Sequence, residues 1–96
     1  MPKTEEWLDC GPEFPGHQAS SLGRIKNPKG KILTPRPHNG ALRVDIGKRA
    51  VMVHDVILKT FSGNPPNLNY RVKHLNEDRT DNREENLMWA QRKASK

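Results

Sequence analysis

Between Val51 and Phe61 the apolar residues of this chain change their spacing, and that change limits what the rest can form. Val53, Val56, Ile57 and Phe61 recur in steps of three and four, the period of one helix face, so a helix is predicted over 51–61. The run Ser62-Gly63-Asn64-Pro65-Pro66 stops it, because proline supplies no amide to continue a helical ladder. Just upstream, Leu42, Val44 and Ile46 alternate with Arg43 and Asp45, which is the pattern of a strand with one dry face and one wet face. Only 32% of the 96 residues are hydrophobic, so the core joining these elements is thin. A chain of this size buries little more than about 60% of its unfolded surface. One domain, or two half-domains sharing a small core, is the expectation, steadied by a partner, an ion or close packing of the halves.

Two further strands are predicted before Ala41–Ile46: Ser21 to Lys26, and Gly30 to Thr34 after the turn signal Asn27-Pro28-Lys29-Gly30. With the turn His38-Asn39-Gly40, residues Gly23 to Ile46 read as a small antiparallel meander. Residues 1–16 are rich in Pro, Gly and acid and read as loosely ordered, anchored by Trp7, Leu8 and Phe14. Beyond the proline loop, Tyr70 to Leu75 is extended and Asn76 to Thr80 is turn-forming. Thr80 or Asp81 is placed to cap a last helix over Arg83 to Trp89, with Glu84 and Glu85 in its first turn. Trp7 and Trp89 are assigned to the core, which has few other large side chains to draw on.

Seventeen basic residues against eleven acidic ones give a net charge of +6 and attract polyanions, of which nucleic acid is the commonest in cells. Arg24, Lys26, Lys29, Lys31, Arg36, Arg43, Lys48 and Arg49 decorate the expected meander. They form either a solvated sheet face or a ribbon that contacts phosphates. The single cysteine, Cys10, excludes a disulfide framework and a cysteine-based zinc site within one chain. No apolar run approaches the roughly 18 residues of a membrane span, and the first ten residues hold no signal-like apolar stretch. The expected location is the cytoplasm of the host cell.

The stretch from His74 to Leu87 carries the chemistry. It sets an imidazole at a strand end, then a polar loop, then Asn82 and Asn86 four residues apart, which on a helix share a face. Phosphodiester hydrolysis needs a neutral imidazole to take a proton from water near neutral pH. It is helped by a hard cation to offset phosphate charge, and an amide oxygen such as that of Asn86 is an acceptable ligand. An amide at Asn82 can orient the imidazole. Each residue also has a plainer reading: His74 as a half-buried strand-end residue, Asn82 as a helix cap, and Asn86 as a solvated position beside a core leucine.

Taken in order, His74, Asn82, Asn86-Leu87 and Trp89 resemble the signature of HNH endonucleases of the phage and homing type. The segment Val53-His54 to Phe61 resembles the helix that precedes that signature in the same nucleases. Trp7, Pro15-Gly16 and Ser20-Ser21-Leu22-Gly23-Arg24-Ile25 resemble the SNLGRV-like module often fused before it. The resemblance runs from about Trp7 to Trp89. It implies an α+β fold in which a small antiparallel β meander is followed by a helix and a ββα-metal (His-Me finger) motif. The implied division is a basic DNA-docking β module over 1–50 and the nuclease motif over 51–96. It further implies His74 as general base, Asn82 as its support, and Asn86 as a ligand of one divalent ion, Mg²⁺ or Mn²⁺, with His54 as a second metal ligand, a phosphate contact or a structural histidine. Arg24, Lys26, Arg43, Lys48, Arg49 and Lys73 are the implied DNA contacts. Many members carry an Asp ligand just before the base, whereas this chain carries Lys73. Asp78, Asp81 or His54 is then left to complete the ligand set, or the fold is kept and cleavage is lost.

The resulting expectation is a metal-dependent endonuclease that nicks or cuts duplex DNA, encoded by a phage or a mobile element. The competing expectation is a degenerate relative that occupies DNA, or a host nucleic-acid enzyme, without cutting. A basic RNA-binding protein is the third reading; it gains nothing from the His–Asn–Asn spacing and has few aromatics to stack on single strands.

Overall fold

The computed structural model describes residues 4–91. Three small antiparallel sheets surround one helix. The first sheet joins β1 (Trp7–Asp9), β2 (Gln18–Ser20) and β3 (Ile25–Lys26) in that order. The second joins β4 (Arg36–His38), β5 (Ala41–Ile46) and β6 (Arg49–Met52). The helix α1 (Val53–Ser62) follows directly, and the third sheet pairs β7 (Tyr70–His74) with β8 (Leu87–Gln91). The class is α+β, as expected.

The alternation is realised at the end of β5, where Val44 and Ile46 are buried and Asp45 is exposed; Leu42 is half-buried, and Ala41, on the opposite face, is buried as well. Asn39 and Gly40 both take positive φ, 51° and 82°, and pair His38 with Ala41 across a two-residue hairpin turn. Asn-Gly is favoured there because both positions sit in the left-handed region that matches strand twist. The helix starts two residues later than its expected range because β6 continues to Met52, paired with Arg43 of β5. Val53, Val56, Ile57 and Leu58 form its buried face.

Four expectations are corrected. Residues 4–16 are not uniformly loose: β1 pairs Trp7 with Ser20, while Phe14 is buried in keeping with its expected place as an anchor. Ser21 to Lys26 is not one strand. A turn closed by Gly23 N–H donating to Ser20 O separates β2 from β3, because Ser20 accepts backbone amides at its own side chain. Gly30 to Thr34 makes only an isolated bridge, Lys26 with Ile32, since Asn27 Oδ1 holds Lys29 and Lys31 in a polar turn and Pro35 follows. The expected meander is therefore two sheets.

The fourth correction concerns the last helix. Glu84–Asn86 form one 3₁₀ turn, and Leu87 onward is β8. Leu87 and Trp89, two apart, read with period two, and β7 offers them an unpaired edge. Val72 pairs with Trp89 and His74 with Leu87. Ladder bonds to that edge outweigh the capping and first-turn charge signals, each worth about a kcal/mol or less when exposed.

One cluster, containing Phe14, Ala19, Ile25, Val44, Ile46, Val53, Val56, Ile57, Leu58 and Leu87, joins elements from both ends of the chain. Phe61, Val72 and Trp89 pack against it, and the Trp89 indole N–H donates to Gly63 O at 3.1 Å. The expected boundary at position 50 falls inside β6, which is fully paired with β5. The helix packs against all three sheets and so fixes the β7–β8 hairpin relative to the N-terminal half.

Candidate active site

His74 ends β7 and is only 7% exposed. Alternation along the strand buries His74 while Arg71 and Lys73 remain exposed. Its Nε2 lies 2.9 Å from Oδ1 of Asn82, itself buried. With the amide turned so that Oδ1 faces the ring, Nε2 is the donor and Nδ1 is left as the acceptor, while Asn82 Nδ2 is buried without a partner. The His54 ring meets the His74 ring edge-on, with centroids 5.1 Å apart and planes at 83°. The imidazole is thus held by Asn82 at one nitrogen and packed against His54 of the first turn of α1.

Burial pushes the His54 imidazole below its ordinary pKa; Asp55 opposes the shift, and His74 and Arg79 add to it. His54 is therefore neutral at neutral pH. Its Nδ1 is buried without a hydrogen-bond partner.

The loop between the strands holds itself by side-chain turns. Asn76 Oδ1 accepts from Asp78 N–H, and Asp78 Oδ1 accepts from both Thr80 N–H and its hydroxyl, which lowers the Asp78 carboxyl pKa. Arg83 clasps the Asp81 carboxylate with two hydrogen bonds and holds its carboxyl well below the usual range. Glu77 adopts φ 65°, a strained setting for a residue with a side chain, while its N–H donates to His74 O.

Asn86 is 5% exposed and turned into this loop. Its Oδ1 accepts from Asn76 N–H at 3.0 Å, and its Nδ2 donates to Asn76 Oδ1 and to Asp81 O. Of the two residues expected as metal ligands, His54 has an unpartnered Nδ1, and Asn86 Oδ1 accepts one hydrogen bond and keeps its second lone pair. Among the described residues no group of three or more His, Cys, Asp or Glu side chains is arranged to hold a metal. Lys73, at the position before the base, contributes an ammonium that opposes a nearby cation. The described residues thus hold no three-ligand cluster of these side chains, and a hard ion held by one or two protein groups would draw its other ligands from phosphate and water.

His74 opens onto a cleft of about 820 Å³, lined also by His54, Arg71, Lys73, Glu77 and Arg79. Arg71 and Arg79 are not among the expected DNA contacts. The sequence does carry a signal for Arg71, since it lies two residues before Lys73 and on the same strand face. Arg79 reaches the cleft through the loop fold, with Nη1 donating to Asn39 O at 2.8 Å, which no spacing rule reveals.

The remaining expected contacts lie elsewhere. Arg24 pairs with Glu5, and Lys26 sits 4.1 Å above the Trp7 ring. Arg49 lies near Glu13 at 3.4 Å and over Phe14. Arg43 is half-buried with Nε lacking a partner, and Lys48 is exposed at the β5–β6 turn. Arg24, Arg49 and Lys73 open onto three different depressions of the surface.

Known proteins resemble this chain in sequence and in fold. Residues 51–95 match the family model described as HNH endonuclease. The uncharacterized HNH endonuclease L247 of Acanthamoeba polyphaga mimivirus is 34% identical over 95 residues, covering 91% of this chain and 24% of that protein. The HNH homing endonuclease I-HmuI, in a structure of its DNA binding and cleavage, matches with a TM-score of 0.74 at 24% identity. That match covers 90% of this chain and 52% of the other. The chain thus spans about a quarter of the viral relative and about half of the homing endonuclease. The fold is that of an HNH homing endonuclease, and the segment carrying His54, His74, Asn82 and Asn86 is the one matched by the nuclease family. Among the described residues no helix is long and apolar enough to cross a membrane.

Proposed function

We propose that this chain binds duplex DNA across the His74 cleft and hydrolyses its phosphodiester bonds, by nicking or by cutting both strands. The observation that carries this reading is the buried contact from His74 Nε2 to Asn82 Oδ1 beside a cleft bearing Arg71, Lys73 and Arg79. Asn82 keeps the proton on Nε2, so Nδ1 takes the proton from the attacking water. The three cations stand where a phosphate would enter and offset its charge. The His54 ring, neutral and packed edge-on, restrains the base. Asn86 acts on the loop that presents Asn82. HNH nucleases generally use a divalent metal ion; the described residues hold no three-ligand cluster of His, Cys, Asp or Glu for one, and no step is assigned to it. Mg²⁺ and Mn²⁺ are the ions to test. Action inside a host cell, on behalf of a phage or mobile element, is consistent with the viral relative.

The test is nicking of supercoiled plasmid at low salt with Mg²⁺ or Mn²⁺. His74→Ala should lower the rate by about 10²–10⁴, the usual worth of general-base catalysis, and leave DNA affinity unchanged. A second reading, DNA binding or capture of a host nucleic-acid enzyme without cleavage, is favoured by the Lys73 ammonium at the cleft. A folded, DNA-binding protein that nicks under neither metal would establish it over the first.

A further inference from the structure

The HNH loop does not hold Asn82 alone. The turn between β2 and β3 presses against it from the other end of the chain. Gly23 has φ 91°, and a Cβ placed there would lie 2.7 Å from Asn82 O, 2.8 Å from Asn82 C and 3.1 Å from Asn82 Cβ. The first two distances involve backbone, which cannot swing aside as a flexible side chain can. Two residues earlier, Ser21 O accepts from Glu84 N–H at 2.8 Å, so the chain on the far side of Asn82 is tied to the same turn.

The turn itself is rigid. Ser20 is fully buried, and its Oγ accepts from Leu22 N–H at 3.2 Å and Arg24 N–H at 3.0 Å. Ser21 is locked to Glu6, the residue just before β1: its Oγ accepts from Glu6 N–H, and its N–H donates to Glu6 O. Arg24 with Glu5, and Lys26 over Trp7, fasten the outer side of the same sheet. Two of the cations expected to contact DNA thus brace this sheet.

We infer that the Ser20–Gly23 turn is a positioning platform for Asn82, and that through Asn82 it sets the tautomer and orientation of His74. Gly23 and Ser21 are positioning residues; neither touches the reacting atoms. The N-terminal sheet then serves the chemistry as well as any docking of DNA. This rests on the reading of His74 as the base, but its test can fail separately from that reading.

The test compares three variants of the full chain. Gly23→Ala forces the Asn82 backbone to move. Gly30→Ala places the same residue at φ 85° with nothing within 4 Å, so it carries equal backbone strain without the clash. Ser20→Ala loosens the turn without a clash and serves where Gly23→Ala does not fold. The first readout is ¹⁵N NMR of the His74 ring above neutral pH, which reports which nitrogen carries the proton. The second is plasmid nicking with DNA affinity measured alongside.

Wild type and Gly30→Ala should show one tautomer protonated at Nε2. Gly23→Ala should show a mixture of tautomers, and Ser20→Ala a smaller shift in the same direction. Nicking should fall by about ten- to a hundredfold in Gly23→Ala, the scale expected when a catalytic group is misplaced by an ångström, with affinity unchanged. A folded Gly23→Ala whose His74 ring spectrum matches wild type overturns the inference. So does an unchanged spectrum in Ser20→Ala if Gly23→Ala does not fold. If Gly23→Ala changes the ring while wild type never nicks, the platform stands and the nuclease reading falls.

Discussion

Asn86→Ala separates a loop-holding residue from a metal ligand. The side chain makes three hydrogen bonds, from Asn76 N–H and to Asn76 Oδ1 and Asp81 O. Each neutral hydrogen bond contributes about 0.5–1.5 kcal/mol net, so the full set is worth about 1.5–4.5 kcal/mol. Asn76 is exposed, and water can replace Asn86 at its amide and side chain. Asn86 O keeps accepting from Leu75 N–H, because that bond is backbone. Both effects pull the cost toward the lower half, about 2 kcal/mol. In a domain of this size each kcal/mol moves Tm by about 4–8 °C, so a drop of about 8–16 °C is expected. The measurement is thermal unfolding in EDTA, where no ion can contribute. A loop-holding Asn86 lowers Tm there and added metal restores none of it. A ligand leaves the EDTA Tm within about 0.5 kcal/mol of wild type and raises the metal concentration needed for nicking. An unchanged Tm in EDTA would refute the assignment to the loop.

Other outcomes follow from the same geometry. Ile57 is fully buried at the centre of α1, so Ile57→Ala should cost about 2–5 kcal/mol in urea unfolding. Replacing Arg71 and Lys73 together by Ala should weaken DNA binding and reduce the slope of log affinity against log salt by about two, one for each phosphate no longer neutralised. An unchanged slope would remove the cleft as the DNA path. The Arg83 guanidinium lowers the Asp81 carboxyl in the folded state, so its contribution is present above the unfolded value near 3.8 and is lost as pH falls below it. Tm should fall as pH drops below about 4, and Asp81→Asn should flatten that fall.

The parts legible in the sequence are those where one local rule acts without competition. Val53 to Phe61 shows a helical period bounded by prolines, and α1 forms there. Leu42 to Ile46 alternates between an Asn-Gly turn and a charged turn, and β5 forms there. The expected contact of Asn82 with the His74 ring forms, at 2.9 Å. The failures come where distant partners decide. Spacing puts Asn82 and Asn86 on one helix face, but Asn82 lies outside the single 3₁₀ turn, which begins at Glu84 after an extended Arg83. The two amides point to different tasks because β7 draws Leu87 into a strand directly after Asn86. The order of β1 is equally hidden, since Trp7 gains its place by pairing with Ser20 and by carrying Lys26 on its ring.

The placement of the cations follows from the thin core. A chain with few large apolar residues has to hold its sheets by polar means, and the amphipathic stems of Arg and Lys are suited to cover the aromatic rings it has. Lys26 on Trp7 and Arg49 on Phe14 do this at opposite ends of the N-terminal half. A basic surface read from composition alone assigns all such residues to a ligand. In this chain they divide. Those packed on rings or paired with Glu5 and Glu13 hold the sheets together. Arg71, Lys73 and Arg79, brought together by one strand face and one loop, are the charges set beside His74. Net charge therefore overstates the cations at the cleft, and the local fold of residues 70–91 decides which of them a phosphate would meet.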